Sequence, residues 1–204
     1  DAEPLMSDRD FDELLSELKE LESRHPELHD PDSPTQRVGG EPANGFETVP
    51  HSVPMQSIDN TYSIEDLEAW YERVCKGVEG AAGSSSPTMV CDPKIDGVAI
   101  SLRYESGRLV SAITRGDGEK GDLITGNIRA ISAIPLKLAT DNPPEVLEVR
   151  GEVVMPNATF DRLNQQREAR GEQLFANARN STAGTLKSLD PKVVAGRGLR
   201  MLAH

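Results

Sequence analysis

The period of the hydrophobic pattern changes near residue 88, and this change limits the possible folds more than any other feature of the chain. Before it, apolar residues recur at spacings of three and four, as on one face of an amphipathic helix. After it, apolar and polar residues alternate, as in a strand with one buried face. The order of the elements therefore predicts an α+β fold in which helices pack on antiparallel strands.

The first part of the chain is predicted to contain two helices joined by a long loop. An apolar stripe that includes Phe11 predicts a helix over 7–23, and a second helix is expected over about 63–78. The intervening residues, 25–60, are rich in proline, glycine and polar side chains and lack periodicity, which is typical of a linker or a binding segment. Three consecutive serines within 80–87 indicate a flexible connection.

The second part is predicted to consist mainly of strands. Alternation predicts a short strand over 89–92, a hairpin formed by 98–104 and 109–114, and a further strand over 145–155. Two helices follow, one capped by Asn157 and running to about residue 170, the other over about 181–189.

The composition excludes several classes of protein. The apolar runs are too short for a transmembrane helix or a secretory signal. Two cysteines, Cys75 and Cys91, cannot build a disulfide scaffold or a four-cysteine zinc site, so reduced thiols in a cytoplasm-like compartment are expected. The chain starts without methionine and stops within an apolar stretch, so we expect it to be a piece of a longer protein.

Charge is distributed unevenly along the chain. The net charge is -12, which argues against binding of nucleic acid by this chain on its own. Residues 1–86 carry 20 acidic and 6 basic side chains, whereas residues 87–204 carry 14 acidic and 16 basic ones. This asymmetry indicates two units with different surfaces, although a solvated acidic helix face would produce the same pattern.

The sharpest candidate for chemistry is the run Lys94-Ile95-Asp96-Gly97, placed between a strand and a hairpin. A lysine acts as a nucleophile only after it loses the proton that it holds below a pH of about 10. The pattern K-x-D-G arises by chance in roughly one chain in twenty of this length. On the motif alone, a surface lysine beside a turn aspartate is the simpler interpretation.

Three further features favour a site. The run T-R-G-D-G at 114–118 offers an arginine in a glycine-rich loop, which suits a phosphate or a ribose. Alternation puts Glu148, Arg150 and Glu152 on one face of a strand, and F-A-N-A-R-N at 175–180 places another arginine before a helix N-terminus. Each has an ordinary alternative, such as a hairpin loop or an ion pair between Arg150 and Glu152, but together they indicate a nucleotide site.

At this point the sequence resembles the N-terminal and adenylation region of bacterial NAD-dependent DNA ligases. The matching stretches cover nearly the whole chain in the family's order. They are S-D-R-D-F-D at 7–12, H-D-P-D-S-P-T-Q-R-V-G-G at 29–40, H-S-V-P-M-Q-S-I-D-N at 51–60, the lysine motif, T-R-G-D-G, E-V-R-G-E-V at 148–153 and F-A-N-A-R-N.

The resemblance implies a fold and a reaction. It implies a partial helical subdomain that binds nicotinamide mononucleotide, with its connecting segment, over 1–60, and a C-terminally incomplete adenylation domain over 61–204. That domain would be a nucleotidyltransferase of the ATP-grasp-like ligase type. Lys94 would attack the α-phosphorus of NAD to give a lysyl-AMP, and the adenylate would pass to a 5′-phosphate at a DNA nick before the strand is sealed.

The resemblance also implies roles for individual residues. It places Glu152 and Arg115 at the adenylate ribose, and Ser57 and Ile58 beside the adenine. The remaining residues that it implicates are Asp92 near the adenine, Asp96 and Gly97 next to the nucleophile, Asp8, Phe11 and Asp12 at the nicotinamide mononucleotide half, and Arg179 and Lys187 facing nicked DNA or the adenylate phosphate.

By the same resemblance, NAD is a substrate, Mg²⁺ is the expected ion, no metal is held by residues of this chain, and zinc belongs to a module outside it. The partner is nicked double-stranded DNA in replication and repair. We expect a monomer without membrane contact, cytoplasmic and nucleoid-associated in a bacterium, and a chain of this extent is not expected to complete ligation.

Three departures from the family pattern keep other interpretations open. Phe11 replaces a usual tyrosine, Asp92 a usual glutamate and Lys187 a usual arginine. An impaired ligase-like protein that binds NAD or adenylate without turnover would explain the first two. An ATP-dependent ligase or a capping enzyme would share the lysine motif but has no use for the front helix.

Overall fold

The computed structural model describes residues 8–28, 30, 32–37, 45–82 and 87–204. Its helices are α1 (Asp8–Arg24), α2 (Ile64–Ala82), α3 (Thr125–Arg129), α4 (Asn157–Ala169), α5 (Ala178–Leu186) and α6 (Pro191–Ala195). Its strands are β1 (Thr48–Pro50), β2 (Val98–Glu105), β3 (Arg108–Thr114), β4 (Lys120–Asp122), β5 (Val146–Val154) and β6 (Arg200–Ala203). Two 3₁₀ turns follow α1, at Pro26–Leu28 and Pro34–Arg37.

The chain divides into two compact units. The larger contains the described residues of 1–54 and 96–204, and the smaller contains those of 55–95. The smaller unit is built on α2, with mostly exposed segments of irregular backbone on either side of it in the sequence. The helix spacing read from the sequence is confirmed for both long helices, although α2 continues to Ala82 and so occupies part of the predicted connection.

A four-stranded antiparallel sheet organises the larger unit, in the order β3-β2-β5-β6. β2 and β3 form the predicted hairpin, closed by Ser106 and Gly107, both with positive φ. Such a two-residue turn matches the right-handed twist of the paired strands. A Cβ on Gly107 would lie 2.9 Å from Pro143 Cβ, so the turn also needs glycine for space.

One face of this sheet carries the hydrophobic core. Ile100, Leu102 and Tyr104 of β2 and Val153 of β5 are almost fully buried there. They belong to a single buried cluster with apolar residues of α3, α4, α5, α6 and the 130–136 segment. Full burial of one such side chain contributes about 1.5–3 kcal/mol, so this face fixes the sheet against the helices.

The opposite face is polar because side chains alternate along each strand. In the register, Ala99 lies opposite Glu152, Ser101 opposite Arg150 and Arg103 opposite Glu148. The predicted common face of the three β5 residues is therefore confirmed, as is the mixed fold of helices and antiparallel strands.

Several predicted elements need correction. Residues 89–92 form no strand. Their side chains are exposed and their backbone is irregular, so this short apolar run does not pair with any described strand. The 25–60 segment contains β1, which pairs antiparallel with β4 through Thr48 and Asp122. That pairing depends on a distant part of the chain. Neither short strand has the hydrophobic alternation from which a strand can be predicted.

Helix caps also differ from the prediction. Asn157 is the first residue of α4 rather than its cap, and Pro156 at the N-cap position provides no side-chain hydrogen bond. The next helix, α5, starts three residues earlier than predicted because the side chain of Asn177 accepts a hydrogen bond from the Asn180 N–H at 2.7 Å. Such a cap favours helix initiation at that position.

Candidate functional site

The second half of the lysine motif is held by an arginine from α5. Arg179 Nε donates a hydrogen bond to the Gly97 carbonyl oxygen at 3.1 Å and lies 3.5 Å from Asp96 Oδ1. The Asn177 cap fixes the start of α5 and thereby the position of Arg179. The ion pair is exposed and contributes little by itself, so the bond to the backbone is the stronger restraint on this loop.

Close packing of the backbone against β5 requires a glycine at position 97. A Cβ at this position would lie 2.6 Å from the Val153 carbonyl oxygen and 2.8 Å from Val154 Cγ1. The start of β2 therefore approaches β5 more closely than any side chain permits. This explains the glycine of the K-x-D-G run without any appeal to a ligand.

Two candidate residues flank Ala99 on the polar side of the sheet. Glu152 pairs with Ala99 across β2 and β5, and the Arg115 N–H donates to the Ala99 carbonyl oxygen at 3.0 Å from the other side. Glu152 is half-buried and Arg115 exposed, and within the described residues neither side chain forms a hydrogen bond or an ion pair. Both charged groups are available to a ligand.

The T-R-G-D-G run forms a tightly determined loop. Asp117 Oδ1 accepts hydrogen bonds from the N–H groups of Lys120 and Glu119 at 2.9 and 3.0 Å, which lowers the pKa of its carboxyl. Gly116 has a φ of 58°, and a Cβ on it would lie 2.0 Å from the Lys120 carbonyl oxygen. The loop is thus an ordinary structural turn that also fixes the backbone of Arg115.

A polar network on the sheet holds residues 52–54 of the H-S-V-P-M-Q-S-I-D-N stretch, a contact that the sequence did not predict. Arg150 donates to the carbonyl oxygens of Val53 and Pro54 at 2.5 and 2.9 Å, and to Glu148 Oε1 at 2.8 and 3.0 Å. Ser52 Oγ donates to the other oxygen of Glu148. Arg150 therefore pairs with Glu148, not with Glu152 as the ion-pair alternative supposed.

The charge of Glu148 is stabilised by this network. Burial acts to raise the pKa of its carboxyl, but hydrogen bonds from Ser52, Arg150 and Ser101 outweigh burial, and the pKa lies below its usual value. The carboxylate is therefore the form that the folded protein prefers.

The same segment, residues 49–54, lies beside the T-R-G-D-G loop. The His51 N–H donates to the Glu119 carbonyl oxygen at 2.8 Å, and His51 Nε2 lies 3.1 Å from the Arg115 carbonyl oxygen. A carbonyl only accepts, so Nε2 is the protonated ring nitrogen. Between segment and sheet lies a cavity of about 400 Å³. It is lined by Val49, Pro50, His51, Ser52, Ser101, Arg103, Ser111, Ile113, Leu123 and Glu148.

Lys187 lies at the other end of α5 from Arg179. Its Nζ forms an ion pair with Asp122 Oδ2 at 3.1 Å. The two basic residues are separated by eight positions, or about 12 Å of helix rise. The structure consequently gives them different neighbours and does not bring them together.

Four candidate residues belong to the smaller unit and are exposed there: Lys94, Asp92, Ser57 and Ile58. Ile58 is 77% exposed, which is unusual for an isoleucine and leaves an apolar side chain open to a ligand. Within the described residues, no hydrogen bond or ion pair joins any two of the four.

The front-helix candidates are described only in their backbone. Asp8, Phe11 and Asp12 lie in the first turns of α1, as their spacing predicted. Their side chains lie outside what the structure describes.

The described residues contain neither a preformed metal site nor a membrane-spanning helix. No three histidine, cysteine or acidic side chains of this part of the chain are grouped as metal ligands would be. None of the described helices combines the length and the apolar character needed to cross a membrane.

Comparison with known proteins identifies the family. The NAD-dependent DNA ligase adenylation domain family matches residues 43–204, and the DNA ligase-like, N-terminal NAD⁺-binding domain family matches residues 1–39. The chain therefore belongs to the NAD-dependent DNA ligase adenylation domain family, which confirms the resemblance seen in the sequence.

Individual relatives agree with this assignment. The DNA ligase of Synechococcus sp. (strain CC9902) is 52% identical over 201 residues, covering 98% of this chain and 29% of that protein. The DNA ligase of Akkermansia muciniphila is 50% identical over 210 residues, covering 100% and 26%. That of Porphyromonas gingivalis (strain W83) is 48% identical over 198 residues, covering 97% and 29%. The chain thus spans less than a third of the length of these relatives.

Proposed function

We propose that this chain is the NAD-reacting part of a DNA ligase and that Lys94 is its nucleophile. The observation that carries the proposal is that Arg179 restrains Asp96 and Gly97, two and three residues after Lys94, in a chain of this family. Fixing the backbone next to a nucleophile reduces the entropy that must be lost to reach the reactive geometry.

The proposed reaction has three transfers. The deprotonated Lys94 amine attacks the α-phosphorus of NAD, forming an N–P bond while the bond to nicotinamide mononucleotide breaks. The adenylate then passes to the 5′-phosphate of a DNA nick, and Lys94 leaves. Finally the 3′-hydroxyl attacks that phosphate, sealing the strand and expelling AMP. Such steps depend mainly on alignment and on neutralising phosphate charge.

Residue roles follow the family resemblance, and the position of each side chain supports them. We assign Glu152 and Arg115 to the ribose, an assignment that their open charged groups on either side of Ala99 support. Ser57 and Ile58 contact the adenine, an assignment that the exposed apolar side chain of Ile58 supports. Asp92 lies near the same base.

The other half of NAD and the DNA are assigned to further residues. Asp8, Phe11 and Asp12 of α1 hold nicotinamide mononucleotide. Lys187 faces the nicked DNA or the adenylate phosphate, an assignment from the family resemblance that its 62% exposed side chain supports.

Magnesium would be held chiefly by the nucleotide phosphates and water. Mg²⁺ keeps several waters and needs only one or two carboxylates from protein. When bound, the ion would neutralise phosphate charge.

The wider assignment rests on family membership. We propose a nucleotidyltransferase domain over 61–204, preceded by a helical subdomain and connecting segment over 1–60, in a monomeric bacterial enzyme of the cytoplasm that acts on nicked DNA in replication and repair. An impaired protein that only binds NAD is the competing interpretation.

Intact mass spectrometry after incubation with NAD and Mg²⁺ tests the proposal. We expect one added adenylate with NAD but not with ATP, and none in Lys94→Ala. Binding of NAD without any adduct would support the competing interpretation, and an adduct with ATP alone would indicate an ATP-dependent enzyme.

A further inference from the structure

A cationic cluster lies between α4 and α6, and none of the roles assigned above uses it. It surrounds a cavity of about 300 Å³. Its charged lining consists of one acidic residue, Glu172, and five basic ones: Arg162, Arg167, Arg170, Lys192 and Arg197. The whole chain has a net charge of -12, so this concentration of positive charge is a local exception.

Regular elements and one aromatic ring hold the cluster in place. Arg162 and Arg167 come from α4 and Lys192 from α6. The guanidinium of Arg167 lies 4.5 Å from the centre of the Phe175 ring, and that of Arg197 lies 6.0 Å from it. Arg167 Nε also donates to the Gln173 carbonyl oxygen at 2.6 Å. Two of the cations are thus positioned before any ligand arrives.

Carboxylates balance only part of the positive charge in the cluster: Glu172 forms an ion pair with Arg167 at 3.1 Å and lies 4.0 Å from Arg170. In the described part of the chain, no carboxylate lies within ion-pairing distance of Arg162, Lys192 or Arg197. Burial, followed by repulsion from Arg167 and Arg162, lowers the pKa of Arg197, and the attraction of Glu172 only partly offsets this. An anion in the cavity would relieve that repulsion.

The chemistry of the lining selects a phosphate group rather than a whole nucleotide. Guanidinium groups form paired hydrogen bonds with phosphate oxygens. Phe175, the aromatic side chain of the cluster, already has guanidinium groups against it and offers no obvious surface for stacking a base. A group recognised by charge alone is typical of a nucleic-acid backbone contact, which carries no sequence information.

We propose that the cluster binds a backbone phosphate of the duplex DNA on which the enzyme acts. This proposal rests on the proposed function, since it gives the DNA partner a contact point on this chain. It predicts binding that does not depend on base sequence and that weakens steeply with salt.

The test compares two triple variants that remove the same charge. Arg162→Gln/Arg170→Gln/Lys192→Gln changes three exposed side chains of the cluster, whereas Arg73→Gln/Lys76→Gln/Lys137→Gln changes three exposed basic residues elsewhere. Fluorescence anisotropy measures binding of the 204-residue chain to a labelled nicked duplex between about 20 and 200 mM salt, the range over which binding to phosphates dominates. Circular dichroism checks that each variant is folded.

The cluster variant is expected to bind at least tenfold more weakly at the lowest salt. Its slope of log affinity against log salt should become shallower by about 0.9 for each DNA phosphate that the variant no longer neutralises. The control should keep the affinity and slope of the wild type, and Lys192→Arg alone should bind as the wild type does.

Three results would overturn the proposal: unchanged binding by the cluster variant, an equal weakening in the control, or no binding by the wild type at the lowest salt. Adenylation by NAD is measured in parallel. It should be equal in all three proteins, and its absence in the wild type would contradict the proposed function separately from the DNA contact.

Discussion

Arg150 and Glu148 lie on the same face of β5 and share two hydrogen bonds, at 2.8 and 3.0 Å, while the same guanidinium also binds the backbone of Val53 and Pro54. One side chain therefore fixes both a half-buried carboxylate and the segment that leads toward Ser57. This dual role depends on the planar fork of arginine, which an ammonium group does not reproduce.

Replacing Arg150 with lysine should consequently destabilise the protein although the charge is retained. Loss of the paired hydrogen bonds is expected to cost about 1–2 kcal/mol in the free energy of unfolding. Urea denaturation followed by circular dichroism measures it. Arg103→Lys is a suitable control, since among the described residues Arg103 forms an ion pair only with the exposed Glu105, and it should change stability by less than about 0.5 kcal/mol.

Glu148 should make stability depend on pH in the acid range. Its pKa in the folded protein is lower than the ordinary value of 4.5, so the folded state binds fewer protons than the unfolded state near that pH. The stabilisation is present above the unfolded value and is lost as pH falls through the folded value.

Glu148→Gln removes this titration but leaves partners for Ser52 and Arg150. The stability difference between wild type and variant should therefore be constant above about pH 6 and shrink as the pH falls below 4.5. Denaturation midpoints measured from about pH 7 down to about pH 3 test this, because the loss occurs below the ordinary value of 4.5. A constant difference throughout would show that the network does not favour the ionised carboxylate.

Gly97→Ala should be strongly destabilising for a steric reason. The added methyl group would lie 2.6 Å from the Val153 carbonyl oxygen, so β2 and β5 must separate or twist. We expect a loss of about 1–3 kcal/mol, as for other overpacked sites. Gly126→Ala in α3 is the matched control, because no atom lies within 4 Å of its added Cβ, and thermal melting should show it unchanged or slightly stabilised.

The sequence predicted what depends on local periodicity and missed what depends on distant pairing. The hairpin of β2 and β3 and the long helices α1 and α2 followed from spacing alone. β1, β4 and the anchoring of Val53 by Arg150 are set by contacts about 70 to 100 residues apart. No alternation marks such contacts in advance.

The candidate site divides in the same way. The lysine motif, Arg179 and Glu152 could be selected from the sequence because their residue types and the family resemblance draw attention to them. That Arg179 binds the Gly97 backbone, and that Arg150 pairs with Glu148 rather than Glu152, follows from α5 docking and strand register. Neither contact can be derived from the sequence without the three-dimensional structure.

Arg179 and Lys187 were grouped by the resemblance, but their contacts predict different effects on the first chemical step. Arg179 binds the backbone next to the proposed nucleophile, and Lys187 pairs with Asp122 about 12 Å away along the helix. A hydrogen bond from a charged donor contributes about 1.5 kcal/mol or more, which corresponds to about tenfold in rate. Arg179→Ala should therefore slow formation of lysyl-AMP from NAD about tenfold.

Lys187→Ala should leave that rate within about twofold of the wild type and act only on later transfer to nicked DNA. Single-turnover adenylation followed by mass spectrometry measures the first step, and addition of a 5′-phosphorylated nick measures the second. Arg179→Lys separates charge from geometry, since a lysine retains the charge near Asp96 but lacks the guanidinium Nε that binds Gly97. Equal slowing of the first step by Arg179→Ala and Lys187→Ala would contradict the assignment and indicate that both act through the general charge of α5.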